Sequence, residues 1–474
     1  MKSLFLLTLY LSASLRAENR PNIILVMTDD QGWGETSYND HPILKTPNLD
    51  AMAANGLRLD RFYAAPNCSP SRASILTGRS NDRTTVLNHG HALRRQEKAL
   101  PAALKKAGYA TGHFGKWHLN GYSGPGAPIL KTDSHHPGIF GFDHWYSVTN
   151  FFDLNPIMSR NGSFEDVKGD SSDIIVNEAL KFIEAKSRTG QPFFTVIWYG
   201  SPHLPWRALD KDKAAFRNLK PSSAEHYGEL VAMDRSIGTL REGLRKLEIH
   251  ENTMIWFNSD NGGLKGVTPT TVGDLRDFKG SVFEGGLRVP CVIEWPAGIP
   301  AARQSSYPSG IVDIFPTIAD MIELPDDSIL KPADGTSILP LFKKEIASRK
   351  KPLYFRHTGR TAIIDGDFKL LKDTKNSQNY QLYNLGKDRS ESKNLIKTHP
   401  EVAAKLQSQL DEWNQSVDRS LAGEDLPTGS TPDPILTRKW PTSKAYAPFI
   451  EKWKIRPEFK SYIERSNKNR KPSK

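Results

Sequence analysis

The run Asn22-Ile23-Ile24-Leu25-Val26-Met27-Thr28-Asp29-Asp30 decides the fold of this 474-residue chain. A continuous apolar stretch of this kind is typical of a strand that is buried on both faces of a parallel sheet. Three similar runs follow at residues 193–199, 253–258 and 289–295, and helical patterns lie between the runs at 99–106, 172–185 and 224–247. The alternation predicts an α/β fold in which helices flank a large, mixed, mainly parallel sheet.

The pattern changes after about residue 345. Short strand-like runs at 353–356, 361–365, 369–371 and 381–383 precede a helical pattern at 400–413. We therefore expect a main domain over 18–345, a smaller C-terminal sheet-plus-helix domain over 346–422, and a basic, Pro-containing tail of irregular structure over 423–474.

Positive charge is concentrated near the C-terminus. The net charge is +11, yet residues 438–474 alone hold 12 Lys or Arg against 3 Asp or Glu. Such a tail can attract an acidic polymer or a membrane surface, or it can be an ordinary solvated end. No nucleic-acid-binding signature accompanies it, so no nucleic-acid partner is expected.

The N-terminus has the pattern of a signal peptide. Lys2 provides positive charge, Ser3–Leu15 is apolar but too short to span a bilayer, and Ala17 is a small residue at a plausible cleavage point. Residues 1–17 therefore predict an exported protein, periplasmic or secreted. No later run is long and apolar enough to predict a transmembrane segment.

Two pairs of polar residues directly follow predicted strands. Asp29 and Asp30 follow the first strand, and Asp260 and Asn261 follow the third. Ligands of open α/β sheets bind at the carboxyl ends of the strands, so these residues can converge. Their oxygen atoms suit Ca²⁺ or Mg²⁺, whereas the alternative is a pair of turns capped by short polar side chains.

Cys68 begins the run Cys68-Ser69-Pro70-Ser71-Arg72, where a loop turns into a predicted helix. A helix N-terminus attracts anions. Taken alone, Cys68 can equally be a small buried side chain or a thiolate nucleophile with a histidine partner. The only other cysteine, Cys291, lies in a predicted buried strand, which does not favour a disulfide.

Further candidates for anion binding and proton transfer are Lys116 and His118 in Gly-Lys-Trp-His, His203 between two prolines, and Lys279. A lysine can neutralise an anion, and a histidine can move a proton near neutral pH. Each of them alone is more often a structural or solvated residue.

Together these motifs resemble the type I, formylglycine-dependent sulfatases of the alkaline-phosphatase-like superfamily. The resemblance covers roughly residues 20–420. It rests on an ordered set of motifs: Asp-Asp at 29–30, Cys-Ser-Pro-Ser-Arg followed by Leu-Thr-Gly-Arg at 68–79, Gly-Lys-Trp-His at 115–118, Pro-His at 202–203, Ser-Asp-Asn-Gly at 259–262, and Lys-Gly with Glu-Gly-Gly-Leu-Arg-Val-Pro at 279–290.

The resemblance implies a role for each candidate. A formylglycine-generating or sulfatase-maturing enzyme would convert Cys68 to formylglycine, whose hydrate attacks sulfur, and Arg72 would steady that hydrate. Asp29, Asp30, Asp260 and Asn261, together with the modified Cys68, would bind one Ca²⁺. Lys116 and Lys279 would neutralise the sulfate, while His203 would protonate the leaving group and His118 would take the proton that releases sulfate. Residues 18–345 would then be the catalytic sulfatase domain.

The resemblance also implies an exported enzyme that acts on sulfated carbohydrates. The aromatic residues of the unmatched insert, among them Phe151, are candidates for sugar stacking, and His135, His136 and Arg160 are candidates for polar sugar contacts. Two alternatives remain open. One is a phosphonate monoester or phosphodiester hydrolase of the same superfamily, and the other is a non-catalytic protein that binds sulfated glycans.

Overall fold

The computed structural model describes residues 20–374 and 379–468. The run that begins at Asn22 is the centre of its main sheet, where Asn22–Thr28 pairs in parallel with both Thr253–Ser259 and Phe193–Trp198. From one edge to the other the strands are Arg303–Ser305, Leu57–Leu59, Cys291–Glu294, Thr253–Ser259, Asn22–Thr28, Phe193–Trp198, Ala110–Lys116, His144–Val148, Ile157–Arg160 and Ser163–Asp166. The central strands are parallel and antiparallel pairs lie outside them, so the prediction of a mixed, mainly parallel sheet is confirmed.

Both faces of this sheet are covered, as its apolar runs require. Along the central strand Ile23, Leu25 and Met27 face one core, while Ile24 and Val26 face the other. The α-helices of the described chain are Pro47–Asn55, Cys68–Thr77, Leu100–Lys106, Ser171–Ser187, Asp210–Lys213, Pro221–Lys246, Glu284–Leu287, Ile314–Met321, Pro400–Leu421, Ile450–Trp453 and Pro457–Lys468. Shorter 3-10 turns span Ser37–Asn39, Asn81–Thr84, Pro137–Phe140, Ala214–Phe216, Ile311–Asp313, Asp326–Ser328, Leu339–Phe342, Trp440–Thr442 and Lys444–Phe449.

The single strand predicted over 289–295 is wrong, because Pro290 divides it. Proline has no backbone N–H to donate to a ladder. Arg288–Val289 joins a separate three-stranded sheet with Phe62–Tyr63 and Ser309–Gly310, whereas Cys291–Glu294 pairs with the main sheet. Cys291 is buried there as a free thiol, as expected.

The smaller C-terminal domain is confirmed. Its four antiparallel strands are Leu353–His357, Arg360–Asp365, Phe368–Asp373 and Gln381–Asn384, and the helix Pro400–Leu421 packs Leu406 and Leu410 against Ile363 and Leu370. A buried ion triad joins this sheet to the main domain, since Lys369 Nζ lies 2.9 Å from carboxylate oxygens of both Glu284 and Glu391.

The expectation of irregular structure after residue 423 is confirmed for residues 423–437 but is wrong for residues 438–468. Residues 423–468, here called the C-terminal segment, contain a strand, Arg438–Lys439, which pairs with Tyr122–Ser123, and two of the helices given above. Trp440, Trp453 and Phe459 are buried in a cluster with residues of the main domain. Each large aromatic ring buries a wide apolar area, so a few rings fix a segment whose composition is dominated by charge.

The predicted signal peptide, residues 1–17, lies outside the described residues. Within the described residues no helix combines the length and the hydropathy that crossing a bilayer requires.

Candidate functional site

The four candidate metal ligands meet at the carboxyl edge of the main sheet. Thr28 and Ser259 are register partners on adjacent parallel strands, so the residues that follow them emerge side by side. Asp29, Asp30 and Asp260 each present an oxygen within 4.8 Å of the other two. Asn261 joins the group by donating its Nδ2 to Oδ1 of Asp30 over 2.8 Å.

The chemistry of this cluster fits a hard divalent cation. Oδ1 of Asp29, Oδ2 of Asp30 and Oδ1 of Asn261 are buried and have no hydrogen-bond partner. Burial and then the charge of Asp29 raise the pKa of Asp260 to about 8. Burial alone would also raise the pKa of Asp29, but Lys116 above all holds it below its usual range. Buried oxygens that lack partners, from carboxylates that repel one another, are the donor set that Ca²⁺ or Mg²⁺ satisfies.

Cys68 is the first residue of the buried helix Cys68–Thr77, directly after the extended residue Asn67. Two serines of the motif fix this turn, because Ser69 Oγ donates to the carbonyl of His118 over 2.7 Å and Ser71 Oγ accepts from Ala65 N over 3.0 Å. The thiol therefore lies at a helix N-terminus, where free N–H groups favour an anion.

The thiol itself is not activated. Burial raises the pKa of Cys68, although Lys116 and Lys279 oppose that effect. Its Sγ lies 3.8 Å from Nζ of Lys279, and ligand atoms of Cys68, Asp29 and His203 lie within 4.8 Å of one another. A thiol with a raised pKa carries little thiolate, which disfavours the reading of Cys68 as an unmodified nucleophile.

Three cations surround the carboxylate cluster. Arg72 Nη2 lies 3.0 Å from Oδ2 of Asp260 and 3.4 Å from Oδ2 of Asp29. Lys116 forms an ion pair with Asp29, and Lys279 forms one with Asp30. Arg72 and Lys116 are fully buried, whereas the side chain of Lys279 is 17% exposed. Lys279 is therefore the cation of this set that an incoming anion can reach most directly.

Two histidines complete the floor of the site. Both ring nitrogens of His118 are buried without a hydrogen-bond partner, and burial, together with the charge of Lys116, holds its pKa well below the usual range. His203 Nε2 lies 3.9 Å from Oδ2 of Asp30, and burial lowers its pKa to about 4. In the absence of a bound anion both rings are neutral at pH 7 and can accept a proton.

These groups lie at the bottom of a cavity of about 890 Å³, here called the active-site pocket. Its floor holds Cys68, His118, His203 and Lys279. Its walls come from distant parts of the chain, including Asn67, Asn88, His89, Ser123, Gly124, Asn150, Phe151, His357, Arg360, Lys439 and Tyr462. The volume is near the upper end of the range of about 300–1,000 Å³ for small-molecule sites, so the pocket has room for more than a sulfate group.

None of the three candidates for polar sugar contacts, His135, His136 and Arg160, lines the pocket. Nδ1 of His136 accepts from the backbone N of Gly138, and Arg160 pairs with Glu165 and Glu178. His135 is buried, 3.8 Å from Asp433. One aromatic residue of the insert, Phe151, lines the pocket. The other aromatic candidates are buried: Phe140, Phe142, Trp145, Tyr146 and Phe152.

The sequence interpretation missed most of the pocket wall. His357 and Arg360 come from the smaller domain, and Lys439 and Tyr462 come from the C-terminal segment. The strand pairing of Lys439 with Ser123 brings this lysine to the pocket. No motif marks these positions, and a lysine in a charge-rich tail carries no local signal that distinguishes it from its neighbours.

The chain is similar to known proteins. The sulfatase family model matches residues 21–324, and the model described as N-sulphoglucosamine sulphohydrolase, C-terminal, matches residues 276–416. The N-acetylgalactosamine-6-sulfatase of Sus scrofa is 33% identical over 388 residues, covering 74% of this chain and 72% of that protein. A sulfatase of Formosa agariphila is 26% identical over 512 residues, covering 87% of this chain and 91% of that protein.

Among solved structures, that of Ps i-CgsB in complex with k-i-k-neocarrahexaose matches with a TM-score of 0.76 and 26% identity, over 94% of this chain and 100% of that one. The family models together span most of the chain, and they include the segments that build the floor of the pocket. The chain belongs to the sulfatase family and is a sulfuric ester hydrolase.

Proposed function

We propose that this sulfatase is an exported enzyme that hydrolyses sulfate esters of carbohydrates, using a formylglycine made from Cys68 beside one bound Ca²⁺. The observation that carries the proposal is the position of Cys68 Sγ on the pocket floor, 3.8 Å from Nζ of Lys279 and next to the carboxylate cluster. The export rests on the signal-peptide pattern of residues 1–17.

Asp29, Asp30, Asp260 and Asn261 would hold the cation, together with the residue at position 68. The buried oxygens of Asp29, Asp30 and Asn261 that lack hydrogen-bond partners support this assignment. A bound Ca²⁺ acts as a Lewis acid toward sulfate oxygens and toward the attacking hydroxyl. Lys116 and Lys279 add positive charge where negative charge develops as the ester bond breaks.

Formylglycine supplies a nucleophile that the buried thiol cannot. One hydroxyl of its hydrate, ionised beside the cation with its proton released to solvent, would attack sulfur while the S–O bond to the sugar breaks. Loss of the proton of the second hydroxyl would then expel sulfate and return the aldehyde. Arg72, which bridges Asp29 and Asp260, would hold the hydrate through its charge. A formylglycine-generating or sulfatase-maturing enzyme is the partner that this chemistry requires.

The two histidines are assigned to the two proton transfers. His203 lines the pocket beside Lys279 and gives a proton to the leaving sugar oxygen. The negative charge of a bound sulfate ester raises its pKa above that of the empty pocket, which favours the protonated ring. His118, neutral and with two unpartnered ring nitrogens, takes the proton from the second hydroxyl.

The substrate class rests on the relatives. One relative is named for N-acetylgalactosamine 6-sulfate, and one solved neighbour holds a neocarrahexaose. The polar walls of the active-site pocket, with Asn88, Asn150 and Ser123, offer hydrogen-bond partners for sugar hydroxyls. A sulfated sugar of a glycan chain is therefore the proposed substrate, with N-acetylgalactosamine 6-sulfate as the first to assay.

The test compares three aryl esters with one leaving group: a sulfate, a phosphonate monoester and a phosphodiester. After co-expression with a maturing enzyme, the aryl sulfate is expected to have the highest kcat/KM. A higher kcat/KM for either phosphorus ester would instead favour the phosphonate or phosphodiester hydrolase. Sulfated sugars that bind without turnover, and whose affinity is the same in Cys68→Ala, would favour a non-catalytic glycan-binding protein.

A further inference from the structure

A second cavity of about 370 Å³ lies beside the active-site pocket and is here called the side cavity. It is enclosed between the loop at residues 151–157 and the C-terminal helix Pro457–Lys468. The two cavities share three lining residues: Gly124, Phe151 and Tyr462. A ligand that fills the active-site pocket can therefore extend into the side cavity at this junction.

Specific contacts within the fold hold the junction between the two cavities in place. Tyr462 donates its hydroxyl to the carbonyl of Ser123 over 3.0 Å, which holds its ring against Gly124. Gly124 has a φ of +103°, and a Cβ at this position would lie 2.2 Å from Cε1 of Tyr462. Glycine is thus required for the ring to lie there. On the other side, the ring of Phe151 stacks on that of His203, so the junction touches the proposed proton donor.

The lining of the side cavity combines aromatic surface with one unsatisfied acid. Phe151 and Tyr462 provide apolar faces of the kind on which sugar rings stack, and the buried Phe152 closes the wall behind them. Oδ1 of Asp153 is buried and has no hydrogen-bond partner. Burial raises the pKa of Asp153 well above its usual range, although the charge of Arg207 opposes that effect. The free Oδ1 can therefore take part in a hydrogen bond with a ligand hydroxyl.

The mouth of the side cavity is positive. Arg207 and Arg465 both line it and are exposed. The charge of Arg207 acts on Asp153, and Arg465 Nε donates to the carbonyl of Ser461 over 3.1 Å, but neither guanidinium lies within 4 Å of a carboxylate oxygen among the described residues. Glu458, the other acid in the lining, is paired with Arg456. A guanidinium that forms no ion pair with a protein carboxylate is suited to a carboxylate or a sulfate of a ligand, which it binds through two parallel hydrogen bonds.

We propose that the side cavity is a second sugar subsite, which binds an acidic ring next to the sulfated sugar in the same glycan chain. Asp153 bonds to a ring hydroxyl, the aromatic residues contact the apolar face of the ring, and Arg207 with Arg465 binds its carboxylate or sulfate. This subsite rests on the proposed function, and it makes an oligosaccharide a better substrate than a single sulfated sugar.

The experiment uses the double variant Arg207→Ala/Arg465→Ala and the single variant Asp153→Asn in the full, matured chain. Arg217→Ala is the matched control, because Arg217 is also exposed but lies outside the cavity. The substrates are an aryl sulfate, which cannot reach the side cavity, and sulfated monosaccharide and tetrasaccharide pairs from chondroitin 6-sulfate, carrageenan and heparan sulfate. Tetrasaccharide binding to each variant is measured in parallel by calorimetry.

The wild type is expected to favour the tetrasaccharide of its substrate over the monosaccharide. The double variant should lose roughly tenfold or more in kcat/KM on the tetrasaccharide, mainly through KM, and a similar factor in affinity, because charge-assisted contacts are lost. Asp153→Asn should lose less, and turnover of the aryl sulfate should not change in either variant.

Equal wild-type kcat/KM for both chain lengths, an equal loss on the aryl sulfate, or no tetrasaccharide binding at all would overturn the subsite. Arginine-dependent tetrasaccharide binding by a chain that hydrolyses no sulfate ester would contradict the proposed function and leave the subsite standing. Normal aryl sulfate turnover with no effect of chain length would contradict the subsite alone.

Discussion

Arg72 Nη2 lies 3.0 Å from Oδ2 of Asp260, although 188 residues separate the two along the chain. Both side chains are fully buried. This contact joins the Cys68 helix to the carboxylate cluster, so that the proposed nucleophile and the proposed metal ligands form one rigid unit. Removal of one member of a buried ion pair leaves an uncompensated charge, which is strongly destabilising.

Arg72→Met is therefore expected to lower the free energy of unfolding by about 3–5 kcal/mol in urea titrations and to abolish turnover. The control is Arg241→Met, which breaks a buried pair with Glu294 far from the pocket. Arg241→Met should cost comparable stability while the folded fraction keeps its kcat. Full activity in folded Arg72→Met would contradict the assigned role.

Cys68→Ala and Cys68→Ser are each expected to lose aryl sulfate turnover, because neither side chain forms an aldehyde. Cys291→Ala removes the other buried thiol and should keep activity, since Cys291 packs in the core away from the pocket. Peptide mass spectrometry of residues 62–72 in active material should show the aldehyde in place of the thiol. An unmodified Cys68 in a fully active preparation would exclude formylglycine.

Chelation of Ca²⁺ is expected to lower Tm, because it leaves three buried carboxylates to repel one another. When the free Ca²⁺ concentration is a hundred times Kd, binding stabilises the folded state by about 2.7 kcal/mol. Asp260→Asn should reduce this dependence. Asp313→Asn alters a buried carboxylate that pairs with Arg349 and should destabilise the fold without changing its response to Ca²⁺. An unchanged Tm after chelation would argue against the metal site.

His41 is expected to make the free energy of unfolding depend on pH without involving the proposed catalytic residues. Burial lowers its pKa to about 4, and its Nδ1 accepts from Leu44 N over 2.8 Å. The imidazole of His41 is therefore protonated below about pH 6.5 in the unfolded chain but only below about pH 4 in the folded chain. Stability from this group is complete above pH 6.5 and falls by about 3 kcal/mol as the pH drops to 4.

His41→Asn keeps an acceptor for Leu44 N and does not titrate, so it is expected to lose less stability than the wild type between pH 7 and pH 4. Urea titrations at several pH values measure the difference. Parallel stability curves for wild type and His41→Asn would contradict the assignment.

Trp440 fixes the C-terminal segment. It is fully buried, with ring centroids 5.3 Å from Phe459 and 5.7 Å from Tyr446. Trp440→Ala is expected to cost about 3–5 kcal/mol and also to raise KM for sulfated sugars, because Lys439 and Tyr462 line the pocket next to it. Ile183→Ala, in the core on a helix remote from the pocket, should lower stability but leave KM unchanged.

The floor of the site follows from local patterns in the sequence. The apolar run before Asp29 predicts a central strand, and the rule that ligands gather at the carboxyl ends of parallel strands places Asp260 beside it. Pro70 likewise marks the first turn of the helix that begins at Cys68. Each of these inferences needs only the residues adjacent in the chain and the geometry of a parallel sheet.

The walls of the site do not follow in this way. The aromatic insert suggested sugar contacts, yet its members are mostly core residues, and His136 and Arg160 have partners of their own. Lys439 and Tyr462 reach the pocket only because aromatic residues of the C-terminal segment are buried against the main domain. The charge-rich composition of the C-terminal segment did not indicate that these two residues would line the pocket.

The sequence by itself determined the class of the fold and the carboxyl-edge cluster, because strand periodicity is a property of consecutive residues, while the role expected of Cys68 followed from the resemblance of its motif to those of sulfatases. Only the tertiary structure decided which side chains enclose a substrate, since those contacts join segments that are hundreds of residues apart. Such contacts depend on how whole surfaces pack, and the identity of one residue does not indicate which distant surface it will contact.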